Sequence, residues 1–144
     1  MDPSDQRDFP ARMAMLAETA AFVEGFCQRH GVSHDDALRI TLIVEELFTN
    51  TISHGFSGDS DTLIGIGLTR GEAHVEVHYE DRAPAHDPTE QLRSSPASLS
   101  APLEARPIGG LGMHLIAQLS TSARYVYEGG MNRLWLVVAC RRGA

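Results

Sequence analysis

Glu46 and Asn50 stand four residues apart in a segment with helical periodicity, so their side chains leave one helix face about 5–6 Å apart at Cβ. The amide carbonyl is an oxygen ligand of the kind Mg²⁺ takes alongside waters and phosphate oxygens, which leaves the carboxylate to act as a base. The same spacing also describes an ordinary polar stripe on an exposed helix. Asp81 ends a strand pattern and is followed by Arg82-Ala83-Pro84-Ala85-His86-Asp87-Pro88, where prolines and small residues impose a defined turn. A carboxylate there can accept a hydrogen bond from an adenine amino group, or simply cap the turn. Asp87, beside Pro88, reads as a cap. The third candidate is Ile108-Gly109-Gly110-Leu111-Gly112-Met113, three glycines just ahead of an apolar helix. Bare N–H groups at a positive helix end can meet phosphate oxygens, although a tight turn into a helix would use the same glycines.

The elements that must position these residues follow from periodicity. After a polar lead over residues 1–9, Met13, Leu16, Ala20, Val23 and Cys27 mark an amphipathic helix over residues 10–30, which Gly31 stops. Ser33 with Asp36 resembles a capping box, and Ile40, Val44, Leu47 and Thr51 carry a buried face through a second helix to about His54. Residues 63–69 and 73–80 read as antiparallel strands, the second alternating Val75, Val77 and Tyr79 against His74, Glu76 and His78. Residues 88–108 turn to Pro, Ser, Ala and Glu without periodicity, long enough to be a lid. A helix lined by Leu111, Leu115 and Leu119 and a final hairpin around Gly129-Gly130 complete the chain. Hairpins without a βαβ rhythm predict one α/β domain over 1–144: a two-layer sandwich, its mixed, mainly antiparallel sheet covered by helices on one face.

Taken together and in order, three stretches resemble the N, G1 and G2 boxes of the GHKL ATPases, which share the Bergerat histidine-kinase-like fold. They are Glu45-Glu46-Leu47-Phe48-Thr49-Asn50-Thr51-Ile52-Ser53-His54-Gly55, Glu80-Asp81-Arg82-Ala83-Pro84 and Gly109-Gly110-Leu111-Gly112-Met113-His114-Leu115-Ile116. Within that superfamily the small size, the run from Thr49 to Gly55 and Asp87-Pro88 are most similar to bacterial anti-sigma factor serine kinases. The resemblance implies that Asn50 holds Mg²⁺, Glu46 is the general base, and Asp81 reads the adenine amino group. It further implies that Gly109, Gly110, Leu111, Gly112 and Met113 form the phosphate turn and that Arg106 reaches the γ-phosphate. Ala83 stands where the G1 box has glycine, and its methyl is expected to hold the backbone further from adenine. His54 matches a family histidine, and its expected role is to close the helix end through a side-chain hydrogen bond. The family commonly begins with a strand that helps dimerisation, whereas residues 1–9 show no alternating apolar pattern.

The implied function is an ATP- and Mg²⁺-dependent protein serine/threonine kinase that phosphorylates a small anti-sigma-factor antagonist. When not so engaged it would sequester a sigma factor or another regulator, and the chain itself is a candidate homodimer. Two alternatives stay open: a catalytically weak, nucleotide-gated binding module, and the detached ATP domain of a histidine kinase. A net charge of −7 argues against direct nucleic-acid binding, which needs clustered Lys and Arg. Neither a leader pattern nor a membrane-length apolar run is present, and Cys27 and Cys140 lack metal-ligand spacing, which together predict a cytoplasmic protein with reduced core thiols.

Overall fold

The computed structural model describes residues 2–89 and 110–141, with side chains outside 110–113. Alternation builds its sheet. On β3 (His74–Asp81) Val75, Val77, Tyr79 and Asp81 are buried, while the residues between them are half-exposed. β2 (Leu63–Arg70) turns Ile64, Ile66 and Leu68 to the same side, and β5 (Met131–Ala139) turns Leu134, Leu136 and Val138. With β1 (Ser4–Pro10) and β4 (Ser122–Glu128) the order is β1-β2-β3-β5-β4, and every neighbouring pair among the described residues is antiparallel. Gly129 and Gly130, at φ 62° and 75°, supply the two left-handed residues that a tight β4–β5 hairpin demands.

The helices fill the other half of one continuous core. α1 (Leu16–Arg29) contributes Val23, Phe26 and Cys27, and α2 (His34–Asn50) contributes Ile40, Ile43, Val44, Leu47 and Phe48. Ser33 caps α2 by accepting the Asp36 N–H at 3.1 Å. The Asp36 carboxylate does not close a reciprocal box; it pairs with Arg39 and accepts the Arg141 N–H. α3 (Gly110–Leu119) packs against α2. Cys27 and Cys140 are free and buried, and burial pushes the Cys27 thiol up to about 11.

Three local features differ from the sequence reading. Residues 4–9, expected in a polar lead, form β1 together with Pro10, in register from Ser4 against Thr69 to Pro10 against Leu63. An edge strand needs little apolar patterning, because β2 supplies its hydrogen bonds and one anchor suffices. That anchor is the fully buried Phe9, edge-on to Phe22 at 5.8 Å and to Phe48 at 6.5 Å. Consequently α1 does not begin at Pro10; a 3₁₀ turn at Met13–Met15 leads into Leu16. Finally, α2 does not continue evenly to His54. Thr51–Gly55 widens into a π turn, closed by the Phe56 N–H on the Thr51 carbonyl five residues back at 2.9 Å.

At the hairpin end of β2 and β3, the buried Arg70 guanidinium donates to the carbonyls of His30, Gly71, His74 and Arg141 at 2.9–3.3 Å. The backbone N–H of Arg70 donates to the Pro3 carbonyl at 2.8 Å. A buried cation is thus satisfied by carbonyl dipoles, which joins both ends of the described chain to one point.

Candidate functional site

The end of β3 opposite Arg70 opens on a cavity of about 330 Å³, within the range of small-molecule sites. Its walls include Leu47, Ala83, Pro84 and Leu134, and its polar floor is Asp81, Thr51 and Asn132. Asp81 is there because inward parity on β3 runs Val75, Val77, Tyr79, Asp81, and the last position of that row meets the cavity instead of the core.

Donors surround the Asp81 carboxylate on its protein side. Oδ1 accepts the Ala83 N–H at 3.0 Å and Asn132 Nδ2 at 2.9 Å, and Oδ2 accepts the Thr51 hydroxyl at 3.0 Å. Thr51 Oγ1 also lies 2.6 Å from the Tyr79 hydroxyl, and one hydroxyl proton can serve only one acceptor. The Leu47 carbonyl lies within reach of both hydroxyls, 3.0 Å from Thr51 and 3.1 Å from Tyr79, and Thr51 is left free to donate to Asp81 when Tyr79 donates to Thr51. Burial pushes the Tyr79 phenol well above its ordinary range, so it stays a neutral donor. A carboxylate held this way turns acceptor lone pairs towards a ligand. A cavity with apolar walls and such an acceptor on its floor suits an aromatic heterocycle that carries an amino group.

Asn50 lines the cavity, and its Nδ2 donates to Glu46 Oε1 at 3.1 Å, which turns the amide oxygen away from Glu46. Glu46 itself is half-buried and lies outside the cavity lining. The structure therefore gathers Asn50, Asp81 and Ala83 around one cavity, with Glu46 tied to Asn50 beside it. Gly110, Leu111, Gly112 and Met113, expected partly ahead of a helix, form the first turn of α3, where backbone N–H groups have no partner within the helix. Arg106 and Gly109 lie outside the described residues, as does nearly all of the 88–108 lid. Asp87 accepts the Thr89 N–H at 2.8 Å, as a turn cap does. His54 is brought to the cavity by the π turn.

Ala83 is buried, and its methyl is turned against Gly55: a Cβ added at Gly55 would sit 2.8 Å from it. Only one of these two positions can carry a methyl, and here the π turn provides the glycine. Gly55→Ala is accordingly expected to destabilise the fold by about 1–3 kcal/mol through overpacking. Ala83→Gly in the same chain should recover most of that loss in denaturant melts. A Gly55→Ala protein as stable as wild type would show that the turn has room to yield.

Sequence reasoning missed Thr51, Tyr79, Tyr125 and Asn132 as site residues. Asn132 carried a readable signal: it is the one polar member of the inward row Asn132, Leu134, Leu136, Val138. Its register partner across β3–β5 is Asp81, a pairing between residues distant in sequence that only the sheet reveals.

Comparison with known proteins gives a consistent picture. The family described as the histidine kinase-like ATPase domain matches residues 9–138. The serine-protein kinase RsbW of Listeria monocytogenes is 27% identical over 124 residues, covering 85% of this chain and 79% of that protein. RsbW of Bacillus cereus is 29% identical over 128 residues, covering 87% and 78%. Among solved structures, a chain of the SiaB–SiaC complex from Pseudomonas aeruginosa matches with TM-score 0.68 at 15% identity, covering 93% of this chain and 88% of that one. The RsbU and RsbW domains of a Mycobacterium tuberculosis protein match with TM-score 0.63 at 17% identity, covering 99% of this chain and 33% of theirs.

Proposed function

Because the chain belongs to the histidine kinase-like ATPase domain family, we propose that it binds Mg-ATP in the Asp81 cavity and transfers the γ-phosphoryl group to a serine or threonine of a small partner protein. The observation that carries this reading is the Asp81 carboxylate, held by donors from three elements on the floor of an apolar-walled cavity that Asn50 also lines. The adenine amino group would donate to Asp81. The phosphates would meet the first-turn N–H groups of α3 at Gly110 to Met113, with Gly109 and Arg106 as the further contacts of this proposal.

Among the described residues no group of three or more His, Cys, Asp and Glu could cage a metal ion. Mg²⁺ needs no such cage, since one amide oxygen with phosphates and waters is a usual set, and Asn50 fits that role. When bound, the ion neutralises phosphate charge. Glu46 would take the proton of the attacking hydroxyl as the new O–Pγ bond forms and the bond from Pγ to the bridging oxygen breaks, releasing ADP. The Asn50 amide holds Glu46 in orientation at 3.1 Å.

The similarity to RsbW proteins named as serine-protein kinases supports a partner-switching role, in which an antagonist protein is the phosphoacceptor and a sigma factor or equivalent regulator is sequestered. β1 adds support for a homodimer, because its outer edge is unpaired among the described residues. No helix among the described residues is long and apolar enough to cross a membrane.

Pull-down from the native lysate with and without Mg-ATP, followed by γ-labelled ATP and phosphosite mapping, tests the whole reading. Acid-stable label on a captured partner is the expected result. ATP-dependent capture without label transfer would replace the kinase by a nucleotide-gated binding module.

A further inference from the structure

We propose that Asn132 is the positioning residue that makes the cavity select a 6-amino purine over a 6-keto purine, an inference that rests on the ATP-binding reading above. Asn132 faces Asp81 across the β3–β5 ladder. Its Nδ2 donates to Asp81 Oδ1 at 2.9 Å, to the Ala83 carbonyl at 2.9 Å and to the Pro84 carbonyl at 3.2 Å. Its Oδ1 accepts the His86 N–H at 3.0 Å and the Tyr125 hydroxyl.

A carboxamide has two N–H donors and two acceptor lone pairs, and all four are engaged here by protein. Asn132 therefore has nothing left with which to read a base directly. It acts through what it holds. One side chain ties the turn after β3 at residues 83, 84 and 86 and fixes one oxygen of the carboxylate that the turn flanks. Without it, Oδ1 would retain only the Ala83 N–H.

Selectivity follows from that fixation. A carboxylate that cannot rotate presents lone pairs at one place, where an amino group donates and a keto oxygen is repelled. A carboxylate free to swing aside tolerates either group. Tyr125 supports the amide from β4, and burial keeps its phenol protonated by raising its pKa.

Three variants test this with Mg-ATP and Mg-inosine triphosphate as probes. Asn132→Leu, which keeps the branching and number of side-chain heavy atoms and removes every side-chain hydrogen bond, should bind ATP roughly ten- to a hundredfold more weakly, the usual effect of losing bonds to a charged group. Its preference for ATP over inosine triphosphate should shrink towards parity, a change that general destabilisation would not produce. Tyr125→Phe removes one bond and should preserve the fold while shifting both readouts in the same direction by a few fold. Asn132→Asp places two carboxylates side by side, which cannot both ionise cheaply. Its ATP affinity should therefore recover as pH falls and the pair takes up a shared proton. His54, His86, Tyr79 and Tyr125 line the cavity and the Asp87 charge acts on Tyr125, and the ratio of variant to wild-type affinity at each pH cancels these groups and the phosphates.

Amide exchange at Ala83 and His86, which needs no nucleotide, should accelerate in Asn132→Leu. If wild type bound no nucleotide but exchange still accelerated, the ATP reading would fall and the clamp would stand. ATP affinity within twofold of wild type, an unchanged ATP preference and a pH-independent Asn132→Asp ratio would overturn the proposal.

Discussion

Asp81→Asn is expected to leave a folded protein whose ATP affinity is at least about a hundredfold weaker, because the substitution removes a charge and reverses a hydrogen bond at once. Asp81 accepts from Ala83, Asn132 and Thr51 on its protein side. An amide of the same shape can accept on one oxygen only, so its NH₂ must point at another donor or at the adenine amino group. Turned towards Ala83 and Asn132 or towards the adenine amino group, that NH₂ meets a second donor; only the Thr51 hydroxyl could accept from it, by giving its own proton to the Leu47 carbonyl 3.0 Å away. Sites built around one polar contact reject the mismatched partner by large factors, since the buried groups are then left unpaired. Asp81→Ala should also cost stability, as it strands those donors at about 1–3 kcal/mol each. Calorimetric titration with Mg-ATP beside a thermal melt separates the two effects, and Asp81→Asn binding ATP like wild type would remove Asp81 from the site.

The second large effect is on transfer rather than binding. Glu46→Gln is expected to retain ATP affinity and lose roughly 10²–10⁴ in the rate of phosphoryl transfer, the usual contribution of a general base. Glutamine is the sharper variant than alanine, because its amide oxygen can still accept from Asn50 Nδ2 and so leaves the carboxamide in place. Glu46 lies beside the cavity and not in its wall, which is why binding should be spared. Single-turnover phosphorylation of the partner at saturating Mg-ATP measures this. Equal rates for wild type and Glu46→Gln would mean that another group takes the proton.

The parts of this molecule legible in its sequence are those where a period or a spacing has physical force. The alternation of Val75, Val77 and Tyr79 gave β3, the row from Ile40 to Thr51 gave α2, and paired glycines gave the last turn. β1 was hidden because an edge strand with one anchor, Phe9, leaves almost no pattern of its own. The π turn was hidden too, since a hydrogen bond reaching five residues back has no residue signature. In the site, Asp81 and Asn50 could be singled out by their place within short motifs. Asn132 left one trace, a polar residue in an apolar inward row, but what it and Thr51 do consists of contacts with Asp81 that arise only once β3 has paired with β5 and met the turn after α2.

The Arg70 guanidinium has a consequence for how this unit can be carried in longer polypeptides. Pro3 and Arg141 are both tied to that one residue, Pro3 to its backbone N–H and Arg141 to its guanidinium, at the far end of β3 from Asp81. Eight strand residues separate the two ends, roughly 25 Å at the usual rise. Neighbouring modules spliced at either terminus would thus share a single mooring on the side remote from the nucleotide. Such a neighbour could govern the cavity only by reaching around the domain, and the mouth of the cavity would stay open to a partner arriving in trans.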